Sequence, residues 1–319
     1  MESCTLAAAP GITLDLIDLP LPMEGYHDFF GIWLLRDEAR DRTALFDVGP
    51  ASTVPLLLEE LKTRNIRKLD HILLSHIHLD HSGGLAQVLQ AFPSARVAVH
   101  PMGKRHLAEP ERLWNSSLEV IPEMALAYGK PSPVDESVFL PEPAEIPGIS
   151  AIDTPGHAPH HRSYLYRAGA GTVLFSGEAA STYNHLGKIY PGADDRAYLL
   201  RPSTPPRFYL DNALASIEKM KAADATFMCY AHFGYTGEVR KMLQEAGDQL
   251  LLWRELFLEY LAKESSTRAD EVDINKLAAF VLERDPWLAV FSRLPGDMQS
   301  REMGFLTSSA TGFLGAVTG

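Results

Sequence analysis

The chain has 319 residues, which is long enough to bury a full hydrophobic core and allows one large domain or two. Hydrophobic residues make up 46% and charged residues 22% of the sequence, as is ordinary for a soluble globular protein. The formal net charge of -12 argues against binding to nucleic acid or to an anionic membrane through bulk electrostatics, so we expect neither as a partner.

Strands and one helix are predicted in the first part of the chain, at residues 12–17, 31–35, 43–47 and 54–62. The loop at residues 20–30 is rich in Pro, Gly and aromatic residues. Asp47, at the end of the third strand, is either an ordinary turn residue or an acceptor that orients a ligand histidine. The two cysteines, Cys4 and Cys229, cannot form a disulfide framework. With no secretion signal or membrane span in the sequence, we expect a cytoplasmic protein.

Four candidate metal ligands occur within six positions, directly after the apolar run at 72–74: His76, His78, Asp80 and His81. The apolar run is typical of a buried strand, and Gly83-Gly84 before a helical pattern is typical of a loop that enters a helix. The ligands therefore lie on a strand-to-helix connection, where α/β proteins place much of their chemistry. Imidazoles with a carboxylate suit zinc, iron or manganese better than calcium or magnesium.

The chain then alternates strands and helices, apart from one excursion. A helix at 82–91 and a strand at 96–99 continue a βαβ succession. Residues 101–136 do not continue this alternation and contain a helical stretch at 110–128. We therefore predict an insertion near the rim of the site, which is either a lid or a packed segment with no catalytic part. Further strands are predicted at 138–140, 149–153, 163–167, 172–176 and 226–230, with a loop at 180–206 and a helix at 210–220.

Beyond Gly237 the composition shifts to helix. Apolar residues recur at helical spacing from Val239 to Leu261, which predicts a long amphipathic helix. Shorter helices are predicted at 270–283 and near 287–293, and the small, apolar tail at 303–319 is expected to dock on another surface. We therefore predict a core at 1–236 and a helical extension at 237–319 packed on that core, in a monomer or a homodimer.

The pattern His-x-His-x-Asp-His at residues 76–81 resembles the signature of the metallo-β-lactamase superfamily. Three later segments resemble its remaining motifs in the expected order, namely Thr-Pro-Gly-His at 154–157, Leu-Phe-Ser-Gly-Glu at 174–178 and Tyr-Ala-His-Phe-Gly at 230–234. The resemblance implies an α/β protein with the αββα sandwich of that family, here with a C-terminal helical extension.

The resemblance also implies a site for two divalent metal ions, zinc in the first place, with iron or manganese as the other choices. The implied ligands are His76, His78 and His157 for one ion and Asp80, His81 and His232 for the other, with the carboxylate of Glu178 bridging them. The family usually has Asp at the bridging place, and Glu reaches about 1.5 Å further. The alternatives are a weakened second site or replacement of Glu178 by Asp194 or Asp195.

Other residues are assigned roles around the metals. Asp80 is given a catalytic role beside its ligand role. His161 is expected to contact a ligand, with direct coordination by His160 or His161 as the alternative. The candidates for substrate contact are Tyr26, His27, Phe29, Tyr183, His185 and Tyr235.

The function implied by the resemblance is hydrolysis of an ester, lactone or thioester of a small molecule by a hydroxide held between the two ions. Two enzymatic alternatives remain on the same scaffold: phosphodiester hydrolysis, and oxidation by a mononuclear iron site like that of the persulfide dioxygenases. A third is a ligand-binding or regulatory protein that has kept its metals. Assays with a substrate panel, and oxygen uptake, separate these alternatives.

Overall fold

A computed structural model describes residues 5–9, 11–168, 171–185, 198–264 and 269–318. The first half contains β1 (Thr5–Ala9), β2 (Ile12–Asp18), β3 (Gly31–Asp37), β4 (Arg42–Phe46), α1 (Val54–Thr63), β5 (His71–Leu73), α2 (Leu79–Ser82), α3 (Leu85–Ala91), β6 (Arg96–Ala98), α4 (Pro101–Ala108), α5 (Glu111–Val120) and α6 (Pro122–Tyr128). The second half contains β7 (Ile149–Asp153), β8 (Arg162–Ala168), β9 (Gly171–Gly177), β10 (Thr182–His185), β11 (Tyr198–Arg201), α7 (Leu210–Ala222), β12 (Phe227–Tyr230), β13 (Tyr235–Thr236), α8 (Val239–Glu264), α9 (Ile274–Arg284) and α10 (Gly296–Thr318).

Two mixed sheets form the centre of the molecule. The first has the strand order β1-β2-β3-β4-β5-β6, in which the first four strands are antiparallel and β4, β5 and β6 are parallel. The second has the order β13-β12-β9-β8-β7, in which β9 and β12 are the parallel pair. A separate hairpin of β10 and β11 lies between β9 and α7 in the chain.

Apolar side chains fill three interfaces, so the molecule is a four-layer αββα sandwich. Between the sheets, the rings of Phe46 and Phe175 stack at a centroid distance of 3.5 Å. The outer face of the first sheet packs on α1, α3 and the insertion helices, through residues such as Leu57, Val88 and Leu107. The outer face of the second sheet packs on α7, α8, α9 and α10. Such layering buries both faces of each sheet, and the predicted fold class is confirmed.

The C-terminal helices share one buried cluster with the second sheet. Trp253 and Phe257 of α8 pack on Phe313 of α10, with ring centroids 5.5 Å and 4.9 Å apart. Nε1 of Trp253 and Nε2 of Gln249 both donate to Oδ2 of Asp285, which follows α9. Because apolar contacts run without a break from β9 to α10, the division of the chain near residue 237 stays a prediction. Within the described residues, none of the helices combines the length and apolar character that a membrane span requires.

The insertion differs from its prediction in two places. The helix predicted at 110–128 is divided into α5 and α6 at Ile121, whose backbone is not helical. The cause is Pro122, since proline disfavours the helical conformation in the residue before it. The strand predicted at 138–140 is a 3-10 turn, Glu136–Val138, followed by a single bridge between Val97 and Phe139.

Two later predictions were also wrong. The segment predicted as a loop at 180–206 contains the hairpin of β10 and β11. The helix predicted near 287–293 is a pair of 3-10 turns, Pro286–Leu288 and Phe291–Arg293. The tail predicted to dock at 303–319 belongs to α10, which begins at Gly296. Several residues that α10 buries are small, such as Ser309, Ala310 and Gly312. Small residues give little apolar periodicity in the sequence, so the start and the length of this helix were not predicted.

One half-buried carboxyl group next to the 20–30 loop gives a testable pH dependence. Burial is the main cause that raises the pKa of Asp18 from 3.8 to about 6, and the charge of Asp28 adds to it. A raised folded-state pKa stabilises the protein below the unfolded-state value, and this contribution is lost as the pH rises through about 6. Asp18→Asn is therefore expected to match the native protein near pH 4 and to exceed its unfolding free energy by up to about 3 kcal/mol at pH 7. Urea unfolding of both proteins across this range checks it; a difference that does not change with pH contradicts it.

Candidate metal centre

The candidate ligands lie where strands end, at one edge of the sandwich. His76 and His78 follow β5, whereas Asp80 and His81 lie in α2. The remaining three follow β7, β9 and β12, and they are His157, Glu178 and His232. Because parallel strands end at the same edge of a sheet, β9 and β12 bring their following residues together.

The ligand loop is held by the segment after β4. The backbone N–H of Val48 donates to the carbonyl of His81 at 2.9 Å, and that of Gly84 donates to the carbonyl of Gly49 at 3.0 Å. A Cβ atom on Gly84 would lie under 3.0 Å from the Val54 side chain. The Gly-Gly pair therefore lets the loop approach the start of α1 closely, which fixes α2 and its two ligands.

The first group comprises His76, His78, His157 and Glu178. Nε2 of His76 lies 2.9 Å from Nδ1 of His78, and Nε2 of His157 lies 3.2 Å and 3.1 Å from those two atoms. Oε2 of Glu178 is 3.3 Å from His76 Nε2 and 3.1 Å from His157 Nε2. Ligand atoms around a tetrahedral zinc ion are about 3.3 Å apart, so these four atoms enclose a space of suitable size.

The second group comprises Asp80, His81 and His232. Oδ2 of Asp80 lies 3.4 Å from Nε2 of His81 and 3.4 Å from Nε2 of His232. Both imidazoles are buried, whereas the Asp80 side chain is 16% exposed. This carboxylate is therefore the member of the second group that solvent can reach.

Glu178 lies between the two groups. Its Oε2 atom, already close to the first group, is also 3.1 Å from Nε2 of His81, and its Oε1 atom is 3.6 Å from Nε2 of His232. Ser203 donates its hydroxyl to Oε1 at 2.5 Å. This is the position expected of a bridging carboxylate. The alternative ligands at 194 and 195 lie outside the described residues.

The hydrogen bonds behind the imidazoles turn their free nitrogen atoms toward one another. His81 and His232 donate from Nδ1 to the Asp47 carboxylate and the Phe29 carbonyl, each at 3.0 Å. His157 donates from Nδ1 to the Ser203 carbonyl at 3.1 Å. A carbonyl or carboxylate acceptor assigns the proton to Nδ1 and leaves the Nε2 lone pair free.

His76 follows the same rule through Ser75, whose hydroxyl accepts from Nδ1 and donates to Asp47. The Nε2 atoms of His76 and His157 therefore face the interior of the first group, and those of His81 and His232 face the interior of the second, which is unfavourable unless a cation or a proton lies in each group. The donor set thus fits a borderline divalent metal ion.

The charges around the site lead to the same conclusion. Asp47, Asp80 and Glu178 are buried or half-buried carboxylates within the cluster. In the part of the chain that the structure describes, no lysine or arginine forms an ion pair with any of the three. Buried charges are expensive unless compensated, so a divalent cation would supply the missing charge.

The pKa shifts separate the imidazoles into two kinds. Burial, followed by repulsion from His157, lowers the pKa of His78 to about 3, and burial with the neighbouring imidazoles lowers the pKa of His76 well below its ordinary value. These rings are neutral and ready to coordinate. For His81, burial opposes the charged form, but the Asp80 and Asp47 carboxylates raise the pKa well above its ordinary value. Metal binding would therefore release the His81 proton.

His161 contacts the site without facing it. Its Nε2 atom accepts from the Glu178 backbone N–H at 3.0 Å, and its Nδ1 atom lies 2.9 Å from the Thr154 hydroxyl. Both ring nitrogens therefore have partners other than a metal. Gly177 has a φ of +58°, and a Cβ atom there would lie under 3.0 Å from this ring, so glycine allows the His161 contact. His160 is in neither group; its ring lies 5.9 Å from that of His78.

The candidates for substrate contact fall into two sets. The Phe29 ring stacks on His232 with centroids 4.4 Å apart, and Tyr26 meets Phe29 edge-on. His27 is 41% exposed and contacts Asp28 and Asp297. Phe29 and Tyr26 therefore lie beside the second group, whereas the contacts of His27 are with the 20–30 loop and the start of α10.

The other set is not placed at the cluster. The buried Tyr183 ring stacks on Tyr230, and Tyr235 packs on Trp33 and Phe227. His185 pairs with Tyr198 in the β10–β11 hairpin, but its side chain lies outside the described residues. A substrate role for these three stays a prediction.

Sequence reasoning missed two residues that contact the cluster or lie near it. Ser203 holds both Glu178 and His157, but nothing in its proline-rich segment distinguishes it. Tyr128 ends α6, which packs on α2, and its ring meets Phe30 edge-on at 5.8 Å. Burial, followed by the nearby Asp80 carboxylate, raises the pKa of Tyr128 well above its ordinary value. The insertion therefore forms part of the wall near the second group.

A four-layer αββα sandwich with histidine and carboxylate ligands at one edge defines a class of metal-binding proteins. The family model of the metallo-beta-lactamase superfamily matches residues 32–232, more than half of the chain. The chain belongs to the metallo-beta-lactamase superfamily. Within this family, the candidate groups imply divalent metal ions.

Individual relatives are distant. A metallo-beta-lactamase fold-containing protein of Sulfurisphaera tokodaii is 27% identical over 202 residues, which cover 59% of this chain and 69% of the relative. A hydroxyacylglutathione hydrolase of Shewanella baltica is 28% identical over 179 residues, which cover 52% of this chain and 59% of that enzyme. The chain thus spans about six tenths to seven tenths of the length of these relatives.

Solved structures share the fold. A metallo-beta-lactamase family protein from Thermus thermophilus superposes with a TM-score of 0.58 at 20% identity, covering 96% of this chain and 93% of that one. The match therefore includes the C-terminal helices. A beta-lactamase domain protein from Burkholderia ambifaria has a TM-score of 0.56 at 18% identity and covers 98% of this chain and 86% of its own.

Proposed function

We propose that this chain is a hydrolase with two divalent metal ions, zinc in the first place, which cleaves the thioester, ester or lactone of a small molecule. The observation that carries the proposal is the position of Glu178, whose two oxygen atoms lie within 3.6 Å of imidazoles from both groups. Two groups that share one carboxylate are the arrangement of dinuclear hydrolytic sites, whose ions are about 3.5–4 Å apart.

The chain's own residues would position the ions and move protons. One ion would be held by His76, His78 and His157. The other ion would be held by Asp80, His81 and His232, and the Glu178 carboxylate would bind both ions. Bound divalent ions lower the pKa of water and stabilise the negative charge that develops on the attacked carbonyl. The partly exposed Asp80 carboxylate is placed to accept the proton that water loses. No serine or cysteine nucleophile is needed.

The substrate class is proposed from the relatives. Several distant relatives are hydroxyacylglutathione hydrolases, at 25–29% identity. Such an activity supports a thioester as the first substrate to test. The half-buried Tyr26 ring, which meets the buried Phe29 ring edge-on beside the second group, offers an apolar contact for the organic part of such a substrate.

The test is turnover by zinc-loaded protein of a panel that contains S-lactoylglutathione, chromogenic esters, lactones and phosphodiesters. We expect hydrolysis of at least one carbonyl substrate, with a preference for the thioester. Turnover of phosphodiesters alone would reassign the substrate class. No turnover of any panel member, in protein that holds two ions, would overturn the proposal; oxygen uptake with glutathione persulfide on iron-loaded protein would replace it with redox chemistry.

A further inference from the structure

The last helix, α10, packs against two segments that contact the metal-site residues: the 20–30 loop and the segment that follows β11. A Cβ atom on Gly25 would lie under 3.0 Å from the backbone carbonyl of Asp297, at the start of α10. At the other end of α10, a Cβ atom on Gly312 would lie under 3.0 Å from the backbone carbonyl of Thr204. Only glycine allows such close approach, so α10 is packed tightly against both the 20–30 loop and the segment that follows β11.

Arg301 makes the contact with the 20–30 loop. Its guanidinium donates from Nη1 to the carbonyls of Gly25 and His27, at 2.6 Å and 2.8 Å. The same group lies over the Phe29 ring, 4.7 Å from its centroid. The Arg301 side chain is fully buried, so these contacts fix the loop from its inner side.

Phe29 connects Arg301 to the second group, because it contacts both the Arg301 guanidinium and the His232 ring. Its carbonyl accepts the hydrogen bond from His232 Nδ1 at 3.0 Å, and its ring stacks on the His232 ring at a centroid distance of 4.4 Å. Phe29 therefore fixes both the tautomer and the orientation of His232. Contacts of this kind behind a metal-bound imidazole change metal affinity by about 10- to 100-fold.

A buried ion cluster holds Arg301 in place. The Glu302 carboxylate accepts two hydrogen bonds. Nε of Arg301 donates to its Oε1 atom at 3.1 Å, and Nε of Arg201 donates to its Oε2 atom at 3.0 Å. Arg201 also donates to the hydroxyl of Ser309 on the same helix at 3.1 Å. Because Arg201 ends β11 and both charged neighbours are buried, Arg301 has little freedom to turn away from the 20–30 loop.

The first group is supported from a different segment. Ser203 accepts from His157 and donates to Glu178, and the neighbouring Thr204 donates its hydroxyl to the Ser309 carbonyl at 2.6 Å. None of these contacts includes Arg301. Loss of the Arg301 guanidinium should therefore affect the two groups unequally.

We propose that Arg301 is a positioning residue for the metal group of Asp80, His81 and His232, acting through Phe29 on the orientation of His232. The proposal rests on the dinuclear site of the proposed function. It makes the C-terminal helix part of the metal centre, although α10 contributes none of the ligands assigned here. It also predicts that the affinity of the second group depends on a residue about 70 positions beyond its last ligand.

The test compares Arg301→Met with Arg301→Lys and the native protein. Arg254→Met, on the exposed face of α8, is the matched control. Each protein is loaded with zinc, dialysed against chelators of graded affinity, and analysed for zinc per chain and for thermal unfolding. We expect Arg301→Met to lose one ion at a chelator strength about 10- to 100-fold weaker than the native protein requires, while the other ion is held normally. Arg301→Lys, which keeps the charge, should restore part of the affinity, and Arg254→Met should behave as native.

Cobalt substitution adds a readout that reduced stability alone would not change. We expect the absorption bands of only one of the two cobalt ions to shift in Arg301→Met. Unchanged affinity of both ions, or equal weakening of both, would overturn the inference. If Arg301→Met does not fold, Arg301→Lys and Phe29→Leu decide by the same criterion. Failure of the proposed function would be seen separately, as native protein that holds two ions but hydrolyses no member of the panel.

Discussion

Replacement of His78 by alanine is expected to lower hydrolysis by about 10³-fold or more while leaving the fold intact. His78 is half-buried, and its Nδ1 atom contacts only other members of the first group, at 2.9 Å and 3.1 Å. Its removal therefore leaves no unpaired partner in the hydrophobic core. One ion would lose a ligand, and with it part of the stabilisation of the developing negative charge.

The same change at Asp80 separates the two groups. Asp80→Ala removes the carboxylate that lies 3.4 Å from both His81 and His232, so zinc analysis should show loss at the second group, whereas His78→Ala should lose zinc from the first. Arg254→Met is the control, since its side chain lies on the exposed face of α8. Circular dichroism establishes that each variant folds. A His78→Ala protein with native turnover would contradict the ligand assignment.

Removal of the metal ions should abolish activity and also lower the melting temperature substantially. Without ions, five imidazole nitrogens and three carboxylates remain in a mostly buried cluster that no lysine or arginine of the described residues neutralises. A ligand present at 1,000 times its dissociation constant stabilises the folded state by about 4 kcal/mol. For a chain of 319 residues the corresponding shift is about 6 °C.

Differential scanning calorimetry of chelator-treated and zinc-reloaded protein checks this expectation. Reloading should restore both activity and melting temperature. Zinc-loaded His78→Ala, with an incomplete site, should show a smaller shift than the native protein. A melting temperature that is the same with and without metal would mean that the cluster does not hold ions tightly, and would contradict the metal centre.

The sequence was sufficient to predict the family, the sandwich and the four segments that converge at the site. The reason is local: His76, His157, Glu178 and His232 each follow a strand, and strand ends in such a sheet meet at one edge. The alternation of apolar residues fixed most of the strands. Glu178 lies between the two groups because β9 brings it there in the second sheet. The residues around Glu178 do not by themselves specify this position.

What could not be predicted depends on contacts across the fold. Ser203 and Phe29 each hold a ligand histidine through a backbone carbonyl, which every residue has, so no side chain predicts these two hydrogen bonds. Arg301 is 69 positions beyond His232, and nothing in the sequence around it distinguishes it from an ordinary arginine on a helix. The hairpin of β10 and β11 was missed because its prolines and polar residues suppress the strand pattern, although tertiary packing forms the strands.

The hydrogen bonds to Asp47, Phe29 and Ser203 have a consequence for how quickly the centre can load. Each imidazole is already held in its binding orientation by an oxygen atom behind it, so most of the rotational entropy of the ligands is lost during folding and little is left to lose on coordination. Metal-free and metal-loaded crystals should therefore superpose closely around these rings, and the rate of ion uptake should be limited by access and by release of the His81 proton, without a slow rearrangement of the chain.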